Sequence, residues 1–331
     1  MKAIRLLEIY LENCSELAPI FQFTPDLLDR ALGRCPTLAP QLKITIASDK
    51  DDRAELRTAS VFGAGRFKTA DFMKRAPNVS YVQVFAAGID AMVPLDWIPD
   101  KVKLASIAGA HGAKPRQSIL MAILMAHSRL PALITAQRER RWDRIFTSTP
   151  DGGTIVIVGV GNIGGAAAEE ANRLGMTVIG IRRSGEAHPH VHHMFTPDQL
   201  DVVLPRADIV LLTSPLTPST QGMMDARRFA LMRRGAALIN FGRGGLVDEP
   251  ALIETLRLRH LSGAVLDVAS REPLPPEAAL WDAPNLILTP HVLADDTANF
   301  MDRALDIFFE NIQRHLKGEK LRNEVNRSWC Y

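Results

Sequence analysis

Apolar and polar positions follow two rhythms along this chain. Short β-branched runs have the near-continuous apolar character of strands buried on both faces: LKITIAS (42–48), VSYVQVF (79–85), TIVIV (154–158), TVIGI (177–181), ADIVLLT (207–213), AALINF (236–241), GAVLDV (263–268) and NLILT (285–289). Between them lie amphipathic stretches such as DLLDRALGR and PALIETLRLR, with apolar residues at helical spacing. Strands interleaved with helices predict βαβ units, and hence an α/β fold with parallel sheets covered on both faces. There is no fixed-period repeat or low-complexity segment. SIAGAHGAKP (106–115) is rich in small residues and precedes the long apolar helix QSILMAILMAHSRL, so an internal hinge is expected there.

Length and charge narrow the picture. At roughly 150 residues per domain, 331 residues predict two domains. Thirty-nine Lys and Arg against 37 Asp and Glu leave a net charge of +2, with no nucleic-acid footprint and no acidic tail. Cys14, Cys35 and Cys330 are odd in number, far apart and without CxxC spacing. Neither a disulfide framework nor a zinc site is expected, and a reducing cytoplasm fits. MKAIRLLEIYLEN has acidic residues within its apolar stretch and no small-residue cleavage site after it. ILMAILMA (119–126) falls short of the ~20 residues a membrane span needs. The expectation is a soluble cytoplasmic protein with neither membrane nor nucleic acid as partner.

Candidate chemistry begins at TIVIVGVGNIGG, where a strand runs into Gly159, Gly161 and Gly164 and the helix AAAEEANRLG follows. The first glycine permits a tight turn, the second lets backbone approach a pyrophosphate, and the third allows helix to pack on strand. Free N–H groups at the helix start favour the phosphates. The spacing by itself is a weak signal that a mere turn can also give; with a strand before it, a helix after it and a second strand at the right distance, it points to a dinucleotide. That second strand ends in IRRS. An NAD site carries an acidic residue about 20 positions past the glycines, but here Arg182 stands 18 residues beyond Gly164 and no carboxylate comes before Glu186. Arg182 and Arg183 can pair with a 2′-phosphate, and Ser184 can add a neutral hydrogen bond, so NADP is expected in preference to NAD. Alternatively Arg182 stacks on adenine or faces solvent while NAD binds. His188, His190, His192 and His193 follow in HPHVHH, where solvated side chains or a lining for the adenine end are expected in place of a metal site.

A second constellation lies further on. INFGRGGLVDE places Arg243 just after a strand, REP places Glu272 after GAVLDV, and LTPH places His291 at the end of the next strand. Ligands bind at C-terminal strand ends in doubly wound sheets. There Arg243 can clamp a carboxylate and polarise the neighbouring carbonyl, His291 can donate a proton as hydride arrives, and Glu272 can orient the imidazole and raise its pKa. Singly, each also reads as a loop cation, a surface charge and a structural histidine.

From about Gly152 to Asp296 the chain resembles the D-isomer-specific 2-hydroxyacid dehydrogenases, of glyoxylate/hydroxypyruvate-reductase type. GVGNIG, ADIVLLTSPLTPSTQGMM, ALINFGRGGLVDEPALIETL, GAVLDVASREPLP and LWDAPNLILTPH match the family's signatures in order. The resemblance implies Arg243, Glu272 and His291 as catalytic set. It also implies nicotinamide-nucleotide contacts from Gly161, Asn162, Ile163, Ser214, Pro215, Phe241, Gly242 and Asp267, with Arg243 and His291 beside them. VFAAGID (84–90) is similar to the family's substrate loop, which implies that N–H groups near Ala87 and Gly88 bind the substrate carboxylate alongside Arg243 and His291. The implied fold is two doubly wound domains: a Rossmann cofactor domain (109–295) inserted in a discontinuous flavodoxin-like substrate domain (1–108 and 296–331). Departures are Gln117, where relatives usually carry Glu, the basic KPRQ around it, VLADDT after His291, and the ending SWCY. The implied activity is NAD(P)-dependent interconversion of a 2-keto acid and a D-2-hydroxy acid. The alternatives are a non-catalytic NAD(P)(H)-sensing protein of corepressor type and a dehydrogenase for an unrelated substrate on the same scaffold. QSILMAILMAHSRL is apolar on nearly every face and needs cover on all sides. A homodimer built on it and on ALITAQRERRWDR is expected, the alternative being full burial within one chain.

Overall fold

The computed structural model describes residues 6–51 and 53–327; Cys330 and the SWCY ending lie outside the described residues. Contacts divide the chain into two compact units, one of residues up to Gly112 together with those from Asp296 onward, the other Ala113–Asp295.

The first unit is built on five parallel strands: β1 (Leu7–Asn13), β2 (Leu42–Ser48), β3 (Val61–Ala64), β4 (Tyr81–Val84) and β5 (Lys103–Ser106). Their order, β2-β1-β3-β4-β5, is the flavodoxin-like one. Every residue of β3 and β4 is buried, as strands covered on both faces require. One cover is the helix Phe300–Leu316, whose Leu305, Phe308, Phe309 and Ile312 pack with Ile9, Leu11 and Tyr81. Beside it runs the helix Pro25–Gly33, started by Thr24, whose hydroxyl accepts the Leu27 N–H at 3.3 Å. The apolar runs mark β2 and β4 and pass over the other three. β1 carries Glu8 and Glu12, while VFGA and KLAS are only four residues long.

The second unit holds seven parallel strands: β6 (Thr154–Val158), β7 (Thr177–Ile181), β8 (His193–Phe195), β9 (Ile209–Leu212), β10 (Ala237–Asn240), β11 (Gly263–Leu266) and β12 (Leu286–Leu288). The order is β12-β11-β10-β9-β6-β7-β8. The chain builds outward from β6 to β8, then returns to lay β9 against β6 in register Val156 to Val210 and builds the other way. That reversal is the Rossmann switch point, where ligands settle beyond the C-terminal strand ends. One face is covered by the helices Lys114–His127 and Asn162–Arg173, which bury Ile119, Ala122, Ile123, Ala167, Ala168 and Ala171. Met121 and Leu124, on the outer side of the first of these, stay 38% and 39% exposed. A 67° bend separates it from the helix Leu130–Arg138, and no single helix among the described residues is long and apolar enough to cross a membrane.

Candidate active site

Glycine chemistry shapes the turn after β6. Gly159 has φ 103°, and a Cβ there would lie 2.6 Å from the Ser214 nitrogen; one on Gly164 would lie 2.1 Å from the Gly159 carbonyl oxygen. Helix and turn therefore approach as only glycine allows. Ser214 Oγ donates to the Val158 carbonyl at 3.0 Å and Thr213 Oγ1 to that of Gly159 at 2.7 Å, tying the turn to the end of β9, just ahead of Pro215. At Gly161 an added Cβ meets nothing within 4 Å, so space lies open where the helix begins. That helix has no side-chain cap, which leaves the N–H groups of Asn162, Ile163 and Gly164 without intrahelical acceptors. Open space over uncapped N–H groups fits a pyrophosphate.

Three adjacent strands deliver the second constellation. After β10, Asn240 pins the turn: its Oδ1 accepts from Gly242 N at 3.0 Å and its Nδ2 donates to the Arg243 carbonyl at 2.9 Å. Phe241 is buried, and half-buried Arg243 donates to the Gly242 carbonyl at 2.9 Å. After β11, Glu272 Oε1 accepts from Ala269 N at 3.0 Å. After β12 the chain turns through His291, whose φ of 56° is left-handed, and its Nδ1 meets Glu272 Oε2 at 2.8 Å. The histidine loop is held from beneath. Asp267, 2% exposed, accepts from Thr289 Oγ1 at 2.7 Å, Val292 N at 3.1 Å and Leu293 N at 3.2 Å. Its carboxylate thus anchors the loop that presents His291, a task no spacing in the sequence signals.

The electrostatics follow from these contacts. Burial pushes Glu272 up, but its hydrogen bonds to His291 and Ala269 N, with the nearby His291 and Arg243 charges, hold it below the usual carboxylate range. The hydrogen bond to Glu272 raises His291 above an ordinary imidazole, against burial and the Arg243 charge. Burial also pushes Asp267 up, and it lifts Asp295 to about 6, where His291 opposes the rise and Asp267 adds to it. With Nδ1 turned to a carboxylate, Nε2 is the nitrogen left to exchange a proton.

The IRRS end is looser. Arg182 caps β7 by donating its N–H to Phe195 O at 2.9 Å, while its 37%-exposed side chain pairs with Glu186 at 3.2 Å. Arg183 and Ser184 are exposed, and Ser184 Oγ accepts the Glu186 N–H at 3.4 Å. His188 lies half-buried against Gly165, where an added Cβ would come 2.8 Å from Nε2; its Nδ1 accepts from His190 N at 3.3 Å. Burial, then the His190 and Arg182 charges, lower its pKa. His192 Nδ1 accepts from Val178 N at 3.0 Å, and His193 begins β8. Among the described residues no three His, Cys, Asp or Glu side chains gather as a metal site. Gln117 is exposed near the start of its helix, and its neighbour Arg116 pairs with Glu169 and Glu170. Ala87 and Gly88 lie in the first unit, in the loop after β4.

One of the two doubly wound sheets thus carries both the glycine turn after β6 and the Arg243, Glu272 and His291 strand ends. Residues 120–292, just over half the chain, match the family model for the D-isomer specific 2-hydroxyacid dehydrogenase NAD binding domain. The chain belongs to this family, and its activity is that of an NAD(P)-dependent 2-hydroxyacid dehydrogenase or reductase. It is 30% identical over 264 residues to the glycerate dehydrogenase of Methylorubrum extorquens, covering 76% of this chain and 80% of that one. The D-isomer specific 2-hydroxyacid dehydrogenase of Xanthobacter autotrophicus Py2, solved with NADPH and MES, superimposes with a TM-score of 0.84 at 30% identity, covering 98% of this chain and 99% of that one. The NADPH-dependent glyoxylate/hydroxypyruvate reductase of Sinorhizobium meliloti, solved with NADP and sulfate, gives 0.82 at 27% identity, covering 98% and 100%.

Proposed function

We propose that this protein reduces a small 2-keto acid to the D-2-hydroxy acid, preferring NADPH, with His291 as proton donor. The observation that carries the reading is the 2.8 Å Glu272–His291 hydrogen bond at a strand end neighbouring that of Arg243. The Gly159–Gly164 turn, Ser214, Pro215, Phe241, Gly242 and Asp267 would hold the nicotinamide nucleotide, which when bound would supply the hydride. Arg243 grips the substrate carboxylate and polarises the adjacent carbonyl, and the family likeness assigns further carboxylate N–H donors to Ala87 and Gly88. His291, its pKa raised by the hydrogen bond to Glu272, gives its Nε2 proton to the carbonyl oxygen as the hydroxyl forms. In oxidation the same nitrogen takes the proton back. Arg182, Arg183 and Ser184 support the NADPH preference: they offer two cations and a hydroxyl in place of the carboxylate an NAD site uses, and relatives have been solved with NADPH or NADP.

Residues 1–108 and 296–331 serve as the substrate domain and 109–295 as the cofactor domain. A homodimer covers the outer face of the helix Lys114–His127 and the arm after it, where Trp142 is 94% and Phe146 80% exposed. Free thiols at Cys14 and Cys35 suit a reducing cytoplasm. The test is cofactor oxidation with NADPH and NADH in parallel over glyoxylate, hydroxypyruvate, pyruvate and bulkier 2-keto acids. Turnover of at least one, faster with NADPH, is expected. Cofactor binding without turnover of any would instead identify a sensor protein.

A further inference from the structure

We propose that Glu249 is a positioning residue for the Glu272–His291 pair, acting through the backbone of the loop after β11; this rests on the reading of His291 as proton donor. Glu249 opens the helix Glu249–Arg257, yet capping falls to Asp248, whose side chain accepts from Ala251 N at 3.0 Å. The Glu249 carboxylate turns away from its helix and accepts the Ser270 N–H at 2.6 Å. The neighbouring N–H, of Ala269, goes to Glu272 Oε1 at 3.0 Å. Two successive amides are thus divided between two carboxylates: one fastens the loop to a helix, the other fastens Glu272 to the loop.

The same loop is gripped a second time. A Cβ on Gly244 would lie 1.9 Å from the Ala269 carbonyl carbon, so the segment that follows Arg243 touches the loop backbone directly. That contact joins the Arg243 turn to the loop that carries Glu272, and Glu249 fastens the same loop to its helix. Ser270, Arg271 and Glu272 are all exposed, so the loop has little apolar burial of its own and relies on these bonds. The charged groups around the imidazole are Glu272 itself, Arg243 after β10, Asp267 after β11 and Asp295 on the histidine's own loop. Freeing Ser270 leaves all of them present and lowers only the fraction of time Glu272 spends against Nδ1. The imidazole pKa should then fall toward its ordinary value.

The experiment is the pH profile of keto-acid reduction for the parent, Glu249→Ala, Glu249→Gln, Asp248→Ala and Glu272→Gln, with KM for the cofactor and Tm alongside. Glu249→Ala should lower kcat about tenfold at neutral pH, the order expected when a hydrogen bond to a carboxylate is lost, and move the pH midpoint down at unchanged cofactor KM. Glu249→Gln, whose amide oxygen accepts the same N–H, should keep the parent midpoint. Asp248→Ala should lower Tm by removing the cap and leave the midpoint in place. A parent-like midpoint in Glu249→Ala, or an equal shift in Asp248→Ala, overturns the positioning role. A midpoint indifferent to Glu272→Gln overturns Glu272's hold on the imidazole and the positioning role with it, whereas near-normal turnover of His291→Ala overturns the proton-donor reading itself.

Discussion

At the β10 to β12 end of the second sheet, Asn240, Asp267, Glu249 and Glu272 each tie a loop down with at least one hydrogen bond of 3.0 Å or less, whereas at the β7 end the Arg182 side chain pairs with exposed Glu186 at 3.2 Å. Under the proposed function the contrast separates two kinds of work. Proton transfer fails when donor and acceptor drift by a fraction of an ångström, so its side chains are over-determined. Recognition of a phosphate by exposed arginines would tolerate such drift, because Coulombic attraction falls off gently with distance. The tight end should therefore break under conservative changes, and the loose end should accept re-specification.

The largest effect is expected at the tight end. His291→Ala should cut kcat by roughly 10²–10⁴, the usual contribution of a general acid, with cofactor affinity kept; near-normal turnover would remove His291 from the chemistry. Arg243→Lys keeps the charge but loses the planar fork, so KM and kcat should both worsen. An unchanged KM would argue that Arg243 does not hold the carboxylate. At the loose end, Arg182→Asp removes the proposed phosphate partner and supplies a carboxylate for a ribose hydroxyl. Charge-assisted hydrogen bonds are worth about 1.5–3 kcal/mol each, so the kcat/KM ratio should move toward NADH by about tenfold or more. A parent already favouring NADH and indifferent to the change would mean that the arginines face adenine or solvent.

A smaller effect separates the ends by pH. The hydrogen bond to Glu272 raises His291, and the acid must be protonated to act. Reduction should therefore decline as pH rises through a midpoint above the ordinary value of about 6.5, and Glu272→Gln should move that midpoint down. Smallest is the salt effect: added salt should weaken NADPH binding more than NADH binding, measured by titration at low and high ionic strength.

Much of this was readable in advance where a residue's place depends on its own strand. TIVIV and TVIGI delimit β6 and β7 to the residue, because continuous apolar runs stop where burial stops. Arg243, Glu272 and His291 could be placed at strand ends for the same reason. β3 and β5 escaped notice, since four-residue strands with Gly, Ala or Lys lack a pattern long enough to detect. β8 was hidden in a histidine run that reads as a loop. Glu249 and the anchoring by Asp267 were invisible for another reason. Their partners lie on backbone amides 21 to 26 residues away, and side-chain identity says nothing about which amide a carboxylate will meet.

The indole of Trp142, almost fully in water in the single chain, also gives the molecule an optical reporter. An indole in water emits at long wavelength, and one taken into an apolar contact emits further to the blue. Trp97 is half-buried and Trp281 is 48% exposed, and both contribute to the emission together with Trp329; on the proposed homodimer, dilution through its dissociation range should shift the part due to Trp142 to the red. Trp142→Phe would erase that change while keeping an aromatic ring at the position.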